Sequence, residues 1–275
     1  MSDTKTRLTG VVLSAVLALA VVGSAAAGPS GHETVCPRQR DACVDRLVAS
    51  MKRSYERLGC NHNSAFALLY LRTTEAIRDA IRAGEFSDRR LWNQTTTAFG
   101  RYYLDAFRAW RSGHVRRAPM AWRIAFRAAK RKQVSTLGDV FLGISAHINR
   151  DLAFVYYRLG VKDHDDHLHV NTILERVRPP ALAEITARLD PAVAGQSPND
   201  PTLQLDILAW RELAWTNAQR LAAAPDRAAR RAVAADIDRH SVWMARRIKA
   251  AFHATAAANT RRDAFCRSQR SGSAG

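Results

Sequence analysis

Stretches in which apolar and polar residues alternate are almost absent from this chain of 275 residues. Alternation is the pattern of a half-buried β-strand, so its absence excludes a fold built on sheets. Apolar residues recur instead at helical spacing nearly throughout, which predicts an all-α fold. We expect a single-domain helical bundle of about eight helices over residues 28–265, followed by a disordered tail over residues 266–275.

The ends of the helices are predicted from capping and helix-breaking residues. Pro179 and Pro180 have no backbone N–H to donate, so the helix that begins near Asp163 is expected to end before them. A long loop is expected from Asp190 to Pro201, where Pro, Gly, Ser and Asn are concentrated. Helices are predicted over residues 41–58, 64–82, 88–112, 119–132, 137–159 and 163–178, in a short segment ending at 189, and over 202–223 and 226–259.

Long apolar runs are also lacking, with one exception near the amino terminus. This run extends from Leu8 to about Val22, follows Lys5 and Arg7, and leads into small residues that end at Ala27. That order is typical of a signal peptide, so we predict cleavage after Ala27 and a secreted or extracytoplasmic protein. The alternative is an uncleaved anchor, because the segment has about the ~20 residues that span hydrocarbon. Only in that case would the protein stay on a membrane.

Cysteine is scarce, and no Cys-x-x-Cys pair occurs, which argues against a zinc site built on thiolates. Cys36, Cys43, Cys60 and Cys266 all follow the predicted signal peptide, and an oxidising compartment favours their pairing. We predict two disulfides, Cys36–Cys43 and Cys60–Cys266. Four cysteines allow three connectivities, and free buried thiols are the alternative to any pairing.

Acidic residues and lysine are both in short supply. The 42 basic residues include only six lysines, and 25 acidic residues leave a net charge of +17. Such a basic protein attracts anionic partners, and its charge is clustered at residues 116–132 and 246–249. Nucleic acid is the less favoured partner, because no groove-reading motif or aromatic stacking platform accompanies the charge. Solvated helix faces rich in arginine account for it more simply.

Motifs of several enzyme classes are missing as well. No Gly-rich phosphate loop follows a strand, and no Ser/His/Asp order can be established. Polar residues do occur, however, on a helix face whose other residues are apolar. His147 and Asp151 are four residues apart and project from one side of their helix, in line with Val140 and Ile144. Burying these two side chains without partners would cost several kcal/mol, so they need hydrogen-bond partners or a metal.

The next predicted helix opens with KDHDDHLHVN, in which His164, His167 and Asn171 share one side. If the two helices form an antiparallel hairpin across Gly160, their polar ends meet. Zinc and manganese both take imidazole and carboxylate ligands, and a catalytic site keeps one position open for water. The pattern therefore predicts a divalent-metal site and, with it, a metal-dependent hydrolase.

We predict that this metal is held by His147, Asp151, His167 and Glu75, the last from a helix whose two sides are both apolar. The rise of the helices argues against these four residues sharing one metal, because it offsets His147 from His167 by about 10 Å. The alternative is a polar core that only sets the helix register, in a non-catalytic extracellular or envelope binding module. A small anionic ligand is a further alternative, since Arg211 is able to bind an anion bidentately or to neutralise a buried carboxylate.

Five sequence blocks in order identify a resemblance to a bacterial family of exported or soluble helical proteins whose function is unknown. The blocks are GCNHNSAFALLYLRTTE, PMAWRIAF, FLGISAHINRDLAFV, DHLHVNTIL and WRELAWTNAQRL, with AHINRDL the most distinctive part. The likeness covers nearly all of the mature chain but implies no activity. It implies that the following residues lie in family motifs: His62, Glu75, His147, Asn149, Asp151, Asp166, His167, Asn171, Arg211 and Asn217.

A looser similarity connects His147 and Asp151 to the exported helical zinc phospholipases C and zinc nucleases, which also use His-x-x-x-Asp on a helix. The second histidine that those enzymes place shortly after the aspartate is absent here. This similarity is therefore an analogy only.

Overall fold

The computed structural model describes residues 42–195 and 201–272. Within these ranges every regular element is a helix, so the all-α prediction is confirmed. No helix there is long and apolar enough to cross a membrane. The apolar run at residues 8–22 and Cys36 lie outside the described residues, so the signal peptide and the Cys36–Cys43 pair stay predictions.

Ten α-helices are described, joined by short turns. The fifth and sixth are continuous through a π-helical turn over His147–Leu152, and two short 3-10 helices cover Val115–Arg117 and Pro191–Val193. The α-helices are α1 (Ala42–Leu58), α2 (Ser64–Ala83), α3 (Arg89–Arg111), α4 (Met120–Lys130), α5 (Thr136–Ala146), α6 (Ala153–Leu159), α7 (His164–Arg188), α8 (Pro201–Ala223), α9 (Arg227–Ala251) and α10 (Ala256–Gly272).

Several helices begin where a side chain caps their first turn. Asp88, Ser135, Asp163 and Asp226 each accept a hydrogen bond from a backbone N–H three residues on. Such caps satisfy amides that have no partner inside the helix. They fix the starts of α3, α5, α7 and α9.

The prediction that a helix ends before Pro179 is wrong, because α7 continues through both prolines to Arg188. A proline removes the hydrogen bond to the carbonyl four residues earlier. Here Pro179 and Pro180 are exposed, as are Glu175 and Arg176, whose carbonyls cannot accept a hydrogen bond from these prolines. Water can therefore bind these carbonyls, and the helix persists.

The single helix predicted over residues 226–259 is broken between α9 and α10. The Phe252 carbonyl accepts a hydrogen bond from the Ser135 N–H, and the Ala254 N–H donates to the Gln133 carbonyl. The chain therefore pairs for a few residues with the segment before α5, at the one isolated bridge in the described part. No proline or glycine marks this interruption in the sequence.

One hydrophobic core runs through the bundle, with α2 in contact with α1, α3, α5 and α7. Gly143 permits a close approach between α5 and α2. A Cβ atom built there would lie 2.3 Å from the Phe66 ring, so even alanine would push α2 and α5 apart. This close approach brings Phe66 and Tyr70 within reach of the π turn that follows α5.

The carboxyl-terminal helix is fastened to the start of α2. A disulfide joins Cys60 to Cys266, which confirms that predicted pair, and no described cysteine is free. The Arg262 guanidinium also donates to the Cys60 carbonyl, and Lys132 pairs with Asp263. Residues 266–272, which were expected to begin a disordered tail, therefore lie in α10.

Replacing both Cys60 and Cys266 with serine is expected to lower the free energy of unfolding by about 2–5 kcal/mol, because the disulfide closes most of the chain into a loop. Urea unfolding without reductant measures this change. Amide hydrogen exchange should become faster in α10 before it does in α2. Equal stability of the two proteins would contradict the role given to this bond.

Candidate functional site

A carboxylate with no exposed surface lies in the π turn. Asp151 accepts hydrogen bonds from the Trp122 indole N–H at 2.8 Å, from the Arg150 guanidinium at 2.9 Å, and from His147 Nδ1 at 3.0 Å. Because a carboxylate only accepts, His147 carries its proton on Nδ1, which leaves Nε2 as an acceptor. Arg150 continues the network to Asp238 of α9 at 2.7 Å. The predicted need for partners is met by protein groups.

The His147 imidazole is enclosed by aromatic rings. Phe99 stacks on it with a centroid distance of 3.5 Å, and the Tyr70 and Trp122 centroids lie 4.6 and 5.6 Å away. Burial lowers the pKa of His147, although Asp151 opposes the shift, so the ring is neutral near pH 7. Its Nε2 atom has no hydrogen-bond partner among the described residues.

His167 is held from behind at the start of α7. Its Nδ1 atom lies 3.0 Å from the Tyr156 hydroxyl and 3.3 Å from the Arg211 guanidinium, which also donates to the His167 carbonyl at 2.7 Å. Arg211 further donates to Asn171 Oδ1 at 2.5 Å. Burial, together with the nearby Arg211 charge and His164, lowers the pKa of His167 to about 3. The ring is therefore neutral and fixed in orientation.

His164, His167 and Glu212 form a cluster that combines two imidazoles with one carboxylate. Their ligand atoms all lie within 4.8 Å of one another, and no other group of this kind occurs in residues 42–195 and 206–271. One carboxylate oxygen of Glu212 lies 3.2 Å from Nε2 of His164, and the other lies 3.2 Å from Nε2 of His167. His167 is fully buried, whereas the side chains of His164 and Glu212 are each 44 % exposed. One side of the cluster is therefore open to solvent.

The four residues predicted as metal ligands do not come together. His167 belongs to the cluster just described, while His147 and Asp151 belong to the buried network around the π turn. Glu75 takes part in neither, because it accepts from Arg72 at 2.7 Å, and Arg72 in turn pairs with Glu184 of α7. The offset expected from helix rise thus separates the two histidines into different sites.

The remaining motif residues make hydrogen bonds elsewhere in the fold, some between helices and some within one helix. Asp166 accepts from the Trp92 indole at 2.6 Å and from the Ser87 N–H, which joins α7 to α3. Asn149 donates to the Ser145 hydroxyl, and Asn217 accepts from Arg220. His62 Nδ1 lies 2.9 Å from Asp139 of α5. None of these residues belongs to the cluster that offers metal ligands.

Glu212 is the member of the cluster that the sequence interpretation missed. It follows Arg211 directly on α8, within the WRELAW block, and its role depends on α8 lying against the start of α7. Trp215, one turn further on, packs on both histidine rings, with centroid distances of 5.0 and 5.2 Å. The feature of the sequence that could have indicated it is a carboxylate directly after Arg211, which lies in a family motif.

A family model matches residues 44–251, which include the His147 network and the whole His164–His167–Glu212 cluster. The chain belongs to DUF5995, a family of unknown function. This confirms the resemblance to a family without an established activity. Comparison with curated proteins and with solved structures found no match. DUF5995 membership thus supplies the family but not the chemistry, which must be argued from the residues themselves.

In this DUF5995 protein the free energy of unfolding should fall as the pH is lowered from 6.5 towards 3. Unfolded His167 takes up a proton near pH 6.5, whereas the folded residue does so only near pH 3. The unfolded chain therefore binds more protons between these values, and acid favours it by about 3–5 kcal/mol over the full range. Urea unfolding at a series of pH values, with EDTA present, measures the effect.

His167→Gln serves as the comparison in this experiment and should show a weaker pH dependence than wild type. The difference between the two proteins is needed because burial raises the pKa of Asp139 to about 6, which acts in the opposite direction over part of the range. The same pH dependence in both proteins would show that His167 is not the responsible group.

Proposed function

We propose that this protein binds a divalent metal ion, zinc in the first place, through His164, His167 and Glu212. The observation that carries the proposal is the convergence of their ligand atoms within 4.8 Å. Two imidazoles and one carboxylate are the ligand types that zinc takes in proteins, and manganese is the second candidate. In a tetrahedral zinc site the ligand atoms are about 3.3 Å apart, so binding requires a contraction of roughly an ångström.

The cluster combines one buried side chain with two partly exposed ones, which suits such a contraction. His167 is neutral near pH 7, so one of its two ring nitrogens is free of a proton. For Nε2 to face the metal, the ring proton must lie on Nδ1, where the Tyr156 hydroxyl at 3.0 Å can accept its hydrogen bond. The Arg211 guanidinium, which can only donate, then keeps its hydrogen bond to the His167 carbonyl. His164 and Glu212 are partly exposed, which leaves them room to move towards the ion.

Three protein ligands leave a fourth tetrahedral position free for water. That arrangement distinguishes catalytic zinc sites from closed structural ones, and zinc brings the pKa of such a water to about 7. We therefore propose metal-dependent hydrolysis as the activity, with Glu212 and the exposed side of the cluster facing the substrate. The disulfide at Cys60 supports a location outside the cytoplasm, where thiols become oxidised.

A non-catalytic binding module is the second candidate, and the Asp151 network favours it. Three donors satisfy this buried carboxylate, which suits a polar core that fixes helix register. A small anionic ligand at Arg211 has less support, because two of its guanidinium nitrogens already donate to Asn171 and to the His167 carbonyl.

The purified untagged chain is expected to bind one equivalent of zinc by calorimetry and elemental analysis. His164→Ala and Glu212→Gln should each weaken binding by about 100-fold or more, since each removes a ligand. His169→Ala is the matched control, because it removes a histidine from the same helix that pairs instead with Glu85. Absence of bound zinc in the wild type, or equal loss in the control, would refute the site.

Hydrolysis is tested separately with zinc-loaded protein on chromogenic carboxylic and phosphate esters. Wild type and His169→Ala should release product at the same rate, while Glu212→Gln should reduce the rate to that of free zinc. Zinc binding without hydrolysis of either ester class would favour the non-catalytic module.

A further inference from the structure

A cavity of about 130 Å³ lies inside the bundle, separate from the proposed metal ligands. Its walls come from α2, α3, α5, the π turn, α6, α7 and α8, and they are formed largely by aliphatic and aromatic side chains. His164, His167 and Glu212 are not among the lining residues. Tyr156 and Arg211, which contact His167, do line it, so the cavity adjoins the cluster without including its metal-ligand atoms.

On the fully buried residues of the cavity wall, two polar side-chain atoms have no hydrogen-bond partner within the described part of the chain. They are His147 Nε2 and Thr95 Oγ1, on side chains whose residues are only 2 % and 3 % exposed. Buried polar atoms almost always have a partner, so an orphaned pair in one cavity indicates a missing group. Two other wall threonines, Thr73 and Thr74, are satisfied by carbonyls of their own helix.

The hydrogen bonding of His147 determines which kind of partner the cavity lacks. Asp151 accepts a hydrogen bond from the Nδ1–H of His147, so the imidazole offers only a lone pair at Nε2. The partner must therefore donate a hydrogen bond. The surrounding Phe99 and Tyr70 rings exclude a strongly hydrated or charged donor.

We propose that the cavity binds a small apolar molecule that bears one hydroxyl group, with the hydroxyl donating to His147 Nε2. The volume fits this class, because engineered apolar cavities of about 150 Å³ take up benzene. A molecule of the size of phenol fills the space and supplies the single donor. A hydroxyl also accepts, and Thr95 offers a second hydroxyl in the same wall.

Water alone fits the cavity less well than such a molecule. A buried water needs roughly two to four polar partners, and apolar cavities of this size stay dry. Here the two unpaired atoms are set among apolar walls. An apolar body therefore fills the space that water would leave empty.

The proposal is tested by calorimetry with phenol and fluorobenzene, which have nearly the same shape but differ in the donor. EDTA is present throughout, so failure of zinc binding does not affect the result. Wild type should bind phenol about tenfold more tightly than fluorobenzene, since only phenol satisfies the buried acceptor. This comparison uses only the wild-type protein, so it does not depend on whether a variant folds.

His147→Phe keeps the volume but removes the acceptor, so the preference for phenol should disappear while fluorobenzene still binds. Binding of neither compound to wild type would overturn the proposal, as would an equal preference in both proteins. Benzoate is the third probe. Tighter binding of benzoate than of phenol would also overturn it, because an anion would be recognised by the arginines of the wall instead of by His147.

Discussion

The buried carboxylate of Asp151 is the constraint on which the rest of this bundle depends. Removing a charge from water costs several kcal/mol unless partners replace the solvent, and loss of one partner leaves that cost uncompensated. Trp122 of α4, and His147 and Arg150 of the π turn, supply those partners, and Arg150 extends the network to α9. Three parts of the fold must therefore take up one arrangement together, and the polar network specifies the packing that apolar contacts alone would leave less defined.

The same carboxylate also sets the chemistry of the cavity. It fixes the tautomer of His147, and the aromatic rings keep that imidazole neutral, so a single acceptor is presented to an apolar space. Burial keeps His167 neutral as well, and the neighbouring Arg211 charge adds to the effect. The two histidines thus support different kinds of recognition. One lines an apolar cavity, and the other belongs to a cluster that reaches solvent.

Helical periodicity was sufficient to predict most helices, and capping residues such as Asp88 and Asp163 located their starts. What it could not predict depends on contacts distant in sequence. Whether Pro179 ends a helix depends on which face meets water, and the break at Phe252 depends on pairing with Ser135. For the site, the spacing of His147 and Asp151 predicted that both need partners, but the π turn has no signature in that spacing. Glu212 joins His164 and His167 only because α8 packs beside α7, a relation that no local pattern contains.

The disulfide between Cys60 and Cys266 has a consequence for how the protein withstands proteases. The two cysteines are separated by 206 positions, so the loop they close contains nearly all of the described helices. A single cut in an exposed turn, such as the one at Gly113, would leave two pieces that are still covalently joined and still share one core. A clipped molecule would therefore keep both halves of its core together.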